Sequence, residues 1–360
     1  MNRQHAIREL DRYAEMTMRH SLHQYSKHGT LHDVALRAFD APDLWKKPWV
    51  PADFDIGRAQ EHPIFLRFSS EQKLAWNHLQ WGLEYTVVGQ GERQIITLNN
   101  YAVRRYRHIL PSVVALEQRE SFEEVDHLAA FQVGLDALRE RYFPNRSTAL
   151  WSRPASGFSS NRANKVLRHA IGVLADRLLG TNFPTLFFLT RGIKTHNFKP
   201  FENAIAQFQD APSGVAQVSH LHRLDESRHM ATALQLARLS NHILEQQSVE
   251  SRQLLKAAVH AAWPKDRMAD YRIAYWNTVL KESPLFASLT LRERSALQQH
   301  IASNIHQGLQ QLHHRQQHLT RQANKRIVEL AGLSPKLKRA FVDALRDDPV
   351  HANLVDAVEL

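Results

Sequence analysis

VSHLHRLDESRHM, residues 218–230, sets three ligand-type side chains, His222, Glu226 and His229, at i, i+4 and i+7. On a helix of 3.6 residues per turn these offsets share one face. That face also carries Val215 and Val218 before the triplet and Ala233 and Leu236 after it. Ionisable groups in an apolar stripe are costly to bury unless something pairs them, and a metal ion would pair all three. A second segment, SFEEVDHLAAF from Ser121, repeats the Glu-x-x-His spacing with Glu124 and His127. Leu128, Phe131, Leu135 and Leu138 continue its face.

In a chain with 22 His, about one Glu-x-x-His is expected by accident. Alone, Glu124 and His127 would read as a solvated helix face, and His222 as a buried imidazole satisfied by a neighbour. Two such motifs on separate helices, each with apolar residues in phase, point instead to a metal centre. A four-helix bundle holds a carboxylate-bridged pair of iron or manganese ions with a Glu-x-x-His from each of two helices and a Glu from each of two others. The expected fold class is therefore all-α, a ferritin-like four-helix core with additional N- and C-terminal helices.

The wording His-x-x-Asp-Glu-x-Arg-His over residues 222–229 resembles the di-iron N-oxygenases of the p-aminobenzoate N-oxygenase type. The resemblance covers roughly residues 70–245 and is most specific on the last core helix. It implies Glu124, His127, Glu226 and His229 as core ligands, with His222 as that family's additional imidazole. It implies Asp225 as a carboxylate that accepts a hydrogen bond from the non-ligating nitrogen of His127 and fixes its tautomer. The first core helix should add a Glu some thirty residues before the first motif. Glu92 fits that spacing, with Glu84 as the alternative, although Gly89-Gln90-Gly91 would loosen a helix there. The third core helix should add another. No carboxylate lies between Asp176 and Glu202, so His196, at nearly the expected spacing, is preferred over Glu202, which has the expected chemistry.

Helical patterns dominate the whole chain. Residues 1–28 read as a helix, and 40–70, with Pro42, Pro48, Pro51 and Pro63, as a wrapping segment; together 1–70 form the N-terminal part. Residues 71–247 form the di-iron core, with helices over 71–108, 114–141 and 213–247. Its third helix is broken: 162–179 stops at Gly180, Pro184 starts another stretch through Leu186–Leu189, and Pro200 interrupts again. Residues 248–360 read as a helical extension packed on the core, breaking at Pro264 and Pro284. Within its long helix from Leu291 to Leu333, the run LHHRQQH from Leu312 has no interleaved carboxylate and reads as a solvated face.

The chain has no Cys, which excludes disulfides, thiolate zinc, iron–sulfur clusters and Cys nucleophiles. No apolar h-region opens it and no apolar run is long enough to span a bilayer, so the expected setting is the cytoplasm, without a membrane. A net charge of +10 favours acidic partners. No nucleic-acid-binding motif is present and the Lys and Arg are dispersed, which argues against nucleic acid. An acidic carrier protein would suit a basic rim, as would an ordinary soluble surface rich in Arg. Monomer and homodimer are both open.

The residues predict two iron ions as cofactor, with O2 as co-substrate. By the resemblance, the reaction is oxidation of an amine nitrogen to hydroxylamine, nitroso or nitro, on a small amine or a carrier-protein-tethered amino acid. Electrons must come from an external reductase, because no flavin, nicotinamide or iron–sulfur motif appears. A di-iron desaturase or hydroxylase acting on carbon, and a non-enzymatic helical iron-binding protein, are the competing classes. Trp76, Trp81, Tyr85 and Phe131 fit either an arylamine pocket or, more commonly, core packing.

Overall fold

The computed structural model describes residues 1–144, 150, 201–244, 267–308 and 339. The expectations for the broken third helix before residue 201, including His196, and for the LHHRQQH run lie outside the described residues. Within them the chain is helical and holds no strand. The elements are α1 (Arg3–His28), α2 (Leu31–Phe39), the single turn α3 (Pro63–Leu66), α4 (Ser70–Tyr106), α5 (Pro111–Tyr142), α6 (Ser213–Ile243) and α7 (Arg267–Glu282). Residues 201–206 and 291–308 are also helical.

Local chemistry sets most of the helix ends. Asn2 caps α1 by accepting from the His5 N–H, and α1 closes on Gly29, whose φ of 76° is the left-handed conformation glycine tolerates. Thr30 and Asp33 form a capping box that starts α2, a helix lying between the helix read over 1–28 and the Pro-rich segment 40–70. Ser69 and Gln72 do the same for α4, and Pro111 sits at the start of α5, where its missing N–H costs nothing. Helix α4 runs unbroken through Gly89 and Gly91. Packing overrides the local propensity there, since a Cβ on Gly89 would stand 3.3 Å from Leu128 of α5.

Helices α4 and α5 form an antiparallel pair, and α6 runs parallel to α4. The direction of α6 shows in two equally spaced bonds, Tyr85 Oη to Ser219 Oγ at 2.6 Å and Tyr106 Oη to Ser240 Oγ at 2.5 Å. Helix α1 lies along α5 and α6, with Arg3 donating to the Ile243 carbonyl at 3.0 Å. Asp126 of α5 accepts from the Leu31 and His32 N–H groups at 2.7 and 3.2 Å, which seats the positive N-terminus of α2 on α5. Val215, Val218, Ala233 and Leu236 are fully buried, as the stripe on α6 predicts. Helix α7 joins this core through Trp276, stacked on Trp76 at 3.8 Å, and through Arg272, which holds Glu84. No helix among the described residues is long and apolar enough to cross a membrane.

Close approach of α5 to the aromatic core depends on Gly134. A Cβ there would stand 2.5 Å from the Trp81 ring and 2.7 Å from the Phe39 ring. Gly134→Ala is expected to destabilise the fold by about 1–3 kcal/mol through overpacking. Urea denaturation measures it, and a variant as stable as wild type would mean that the two rings can give way.

Candidate metal centre

Two overlapping groups of side chains converge between α4, α5 and α6. Glu92, His127, His222 and Glu226 form one and Glu124, Glu226 and His229 the other, with ligand atoms in each within 4.8 Å of one another. All are buried, and Glu226 belongs to both. Each group could hold a metal ion. Glu226 offers a ligand atom to both groups.

The same local logic operates on both Glu-x-x-His helices. Three residues on a helix bring Glu and His onto one face, so His127 Nδ1 lies 3.1 Å from Glu124 Oε2, and His229 Nδ1 lies 3.1 Å from Glu226 Oε1. Each ring then turns its Nε2 to the opposite helix. His127 Nε2 meets Asp225 at 3.3 Å, the contact expected of Asp225. His229 Nε2 meets Glu123 at 2.8 Å. A carboxylate accepting at Nε2 leaves the Nδ1 lone pair directed at the cluster. Glu123 is absent from the sequence reading, yet it precedes Glu124 as Asp225 precedes Glu226, so the doubled carboxylate was a usable signal.

Between these two carboxylates lies Arg228, also missed. It donates to Asp225 Oδ1 at 2.9 Å and to Glu123 Oε2 at 2.7 Å, and it reaches Gln24 on α1. Ser21 of α1 donates to Glu123 as well. Burial would raise the Asp225 carboxyl, but the hydrogen bond and charge of His127, followed by Arg228, hold it below the usual range. Arg228→Leu takes the guanidinium from Asp225 and leaves Glu123 with the Arg119 guanidinium alone, 3.1 Å away, and is expected to cost about 3–5 kcal/mol. Chemical denaturation reads this, and a loss below 1 kcal/mol would show that water replaces the guanidinium.

His222 sits differently. Its Nε2 faces the cluster, 3.4 Å from Glu92 Oε1 and 3.8 Å from Glu226 Oε1, while Nδ1 is bonded to Glu202. Glu202 arrives on the helical segment 201–206 and is buried beside Phe201. Glu84, the alternative to Glu92, is instead taken up by Arg272, whose Nη2 donates to it at 2.7 Å. Three buried atoms in this region, Glu92 Oε2, Glu202 Oε2 and His222 Nε2, have no hydrogen-bond partner. Orphaned groups of this kind are costly, and a cation in the cluster would satisfy Glu92 and His222, whereas Glu202 stands on the other side of the His222 ring, outside both groups. The donor set, oxygen-rich with three imidazoles, fits iron or manganese.

Without a metal, the cage holds protons. Burial lowers the His127 imidazole and His222 lowers it further, yet the hydrogen bonds to Asp225 and Glu124 outweigh both and raise it to about 10. Burial also lowers His222, which Glu202, Glu226 and Glu124 bring up to about 9. Burial and the carboxylates of Glu124 and Glu226 push Glu92 well above the ordinary range. No family model, curated protein or solved structure matches the chain.

Metal binding must displace these protons, since an imidazole ligates only when neutral. Metal uptake at neutral pH is therefore expected to release protons. Apparent affinity should climb with pH until the His222 and His127 values of about 9 and about 10 are passed. Calorimetry in buffers of different ionisation enthalpy measures the release, and pH-independent uptake would place the ion on other residues.

Proposed function

We propose that this centre is the di-iron site of a ferritin-like bundle, and that the protein uses dioxygen to oxidise an amine nitrogen. The observation that carries this reading is the convergence of two Glu-x-x-His helices on a shared Glu226, with His222 as a third imidazole. Two iron ions held there would supply the electrons that convert dioxygen into an oxidant able to transfer oxygen to nitrogen.

The chain's own residues prepare that chemistry. Asp225 and Glu123 hold His127 and His229 in one tautomer and one orientation. Glu226 ties the two positions together, and Glu92 can keep a proton inside the cage. Phe131 and Tyr85, both buried, pack against His222 with centroids 4.9 and 6.5 Å away and exclude water from that side. With a metal bound, His222 would be a neutral donor beyond a two-imidazole centre and would raise the electron density there. Its bond to Glu202 fixes which nitrogen does so. The basic chain suits an anionic or carrier-tethered amine and an acidic carrier protein.

The test is anaerobic iron loading followed by oxygen, an external electron donor and a panel of amines, free and carrier-tethered. Iron content near two per chain is expected, with one oxygen gained on nitrogen. Glu226→Ala should lose most of the iron, whereas His222→Ala should keep most of it and lose much of the N-oxygenation. Oxygen appearing on carbon, or a desaturated product, would refute the nitrogen assignment and keep the metal centre. Iron binding indifferent to Glu226→Ala would refute the centre itself.

A further inference from the structure

A continuous series of oxidisable rings runs from His222 to the surface. Tyr85 lies 6.5 Å from His222, Trp81 is 4.4 Å from Tyr85, Trp49 is 5.5 Å from Trp81, and Trp45 is 5.2 Å from Trp49, centroid to centroid. Tyr85, Trp81 and Trp49 are buried, while Trp45 is partly exposed. Packing alone does not demand these ring types. Phe39, 5.2 Å from Trp81 and 5.4 Å from Trp49, fills a neighbouring position of the same core with a ring that is hard to oxidise.

We propose that Trp81, Trp49 and Trp45 form an electron path by which the surface supplies an electron to the metal centre when oxygen has been activated there and no substrate consumes the oxidant. The inference rests on the oxygen-activating reading of the centre and adds to it the route by which a misfired oxidant is discharged. One electron passes from Trp81 across Tyr85 to the oxidised centre, which is thereby reduced by one electron. Trp49 refills Trp81, and Trp45 refills Trp49. The Trp45 indole then lacks one electron and gives its Nε1 proton to water. An anionic one-electron donor such as ascorbate returns an electron and a proton.

The surroundings of each ring fit its step. Trp81 Nε1 is buried with no hydrogen-bond partner, so an indole cation there keeps its proton and is restored unchanged when refilled. Trp49 Nε1 donates at 2.9 Å to the Leu44 carbonyl, which is too weak a base to remove that proton. His78 stands 4.6 Å from Trp49 and 5.6 Å from Trp45, and burial lowers its pKa to about 4, so it places no positive charge against the path. The Tyr85 hydroxyl is held by Ser219 at 2.6 Å, and a serine hydroxyl is too weak a base to take the phenol proton, which makes Tyr85 a bridge rather than a stopping point. At the outer end the Arg141 guanidinium lies 5.8 Å from the Trp45 ring, disfavours a cationic indole and so favours proton release there. Exposed Lys46 and Arg141 stand at this end, with Lys47 paired to Asp43, and offer cations to an anionic donor.

The experiment loads the full chain with ferrous iron anaerobically, adds oxygen without substrate, and follows freeze-quenched samples by electron paramagnetic resonance. Oxidised tryptophans are then mapped by peptide mass spectrometry. An indole radical is expected, with stable oxidation concentrated at Trp45. Trp81→Phe and Trp49→Phe should lose the Trp45 product at unchanged iron content. Trp45→Phe, a change at a partly exposed position with little hazard to folding, should prolong the radical and shift the product inward to Trp49. Iron retained and oxygen consumed, with no indole radical or with a Trp45 product indifferent to Trp81→Phe, overturns the path and leaves the oxygen-activating reading standing. A protein that holds no iron or consumes no oxygen overturns that reading and the path with it.

Discussion

Burial of a carboxylate and imidazole cluster inside an apolar helix bundle is the constraint around which this structure is arranged. Glu92, Glu123, Glu124 and Glu226 are almost wholly buried together with His127, His222 and His229. Buried charge is tolerated only where it is paired, and here most of the pairing is done between helices. His127 of α5 is held by Asp225 of α6, and His229 of α6 by Glu123 of α5. A slide of one helix along the other would break both contacts at once, so the same hydrogen bonds that orient the rings also set the register of the pair. Arg228 is bonded to both outer carboxylates, and Arg119 adds a second cation at Glu123.

The cluster has two different flanks. Toward α1 it is polar: Ser21, Gln24 and Arg228 complete the hydrogen bonding of Glu123 and Asp225. Toward α4 and the wrapping segment it is aromatic, with Phe131 and Tyr85 against His222 and the indoles of Trp81 and Trp49 behind them. The N-terminal elements are what make this division. Helix α1 covers the polar flank, and residues 44–50 carry Trp45 and Trp49 onto the other.

Much of this was legible one residue at a time. The offsets of His222, Glu226 and His229 within an apolar stripe predict both a buried α6 face and a ligand cluster, because helical periodicity alone decides which side chains align. The spacing of Glu124 and His127 works the same way on α5. The start read at residue 71 falls one residue inside α4, whereas the start read at 114 misses the first turn of α5, which Pro111 opens. Glu123 was equally available from its place before Glu124. It passed unnoticed because a carboxylate pair on a helix reads by default as a solvated face, and only its opposition to His229 gives it another meaning.

What the chain could not announce is everything that depends on which helices meet. Glu84 and Glu92 are two turns apart on α4 with the same chemistry. Arg272, from a helix almost two hundred residues away, takes Glu84, while Glu92 is left facing His222. Glu202 and Arg228 likewise acquire their roles from partners on other elements. The sequence by itself determined the helical class, the buried stripe and the ligand types, since these follow from spacing and composition along one element. The tertiary structure decided which carboxylates face the centre and which are spent on cations, because charge pairing is a property of distance in space rather than of separation along the chain.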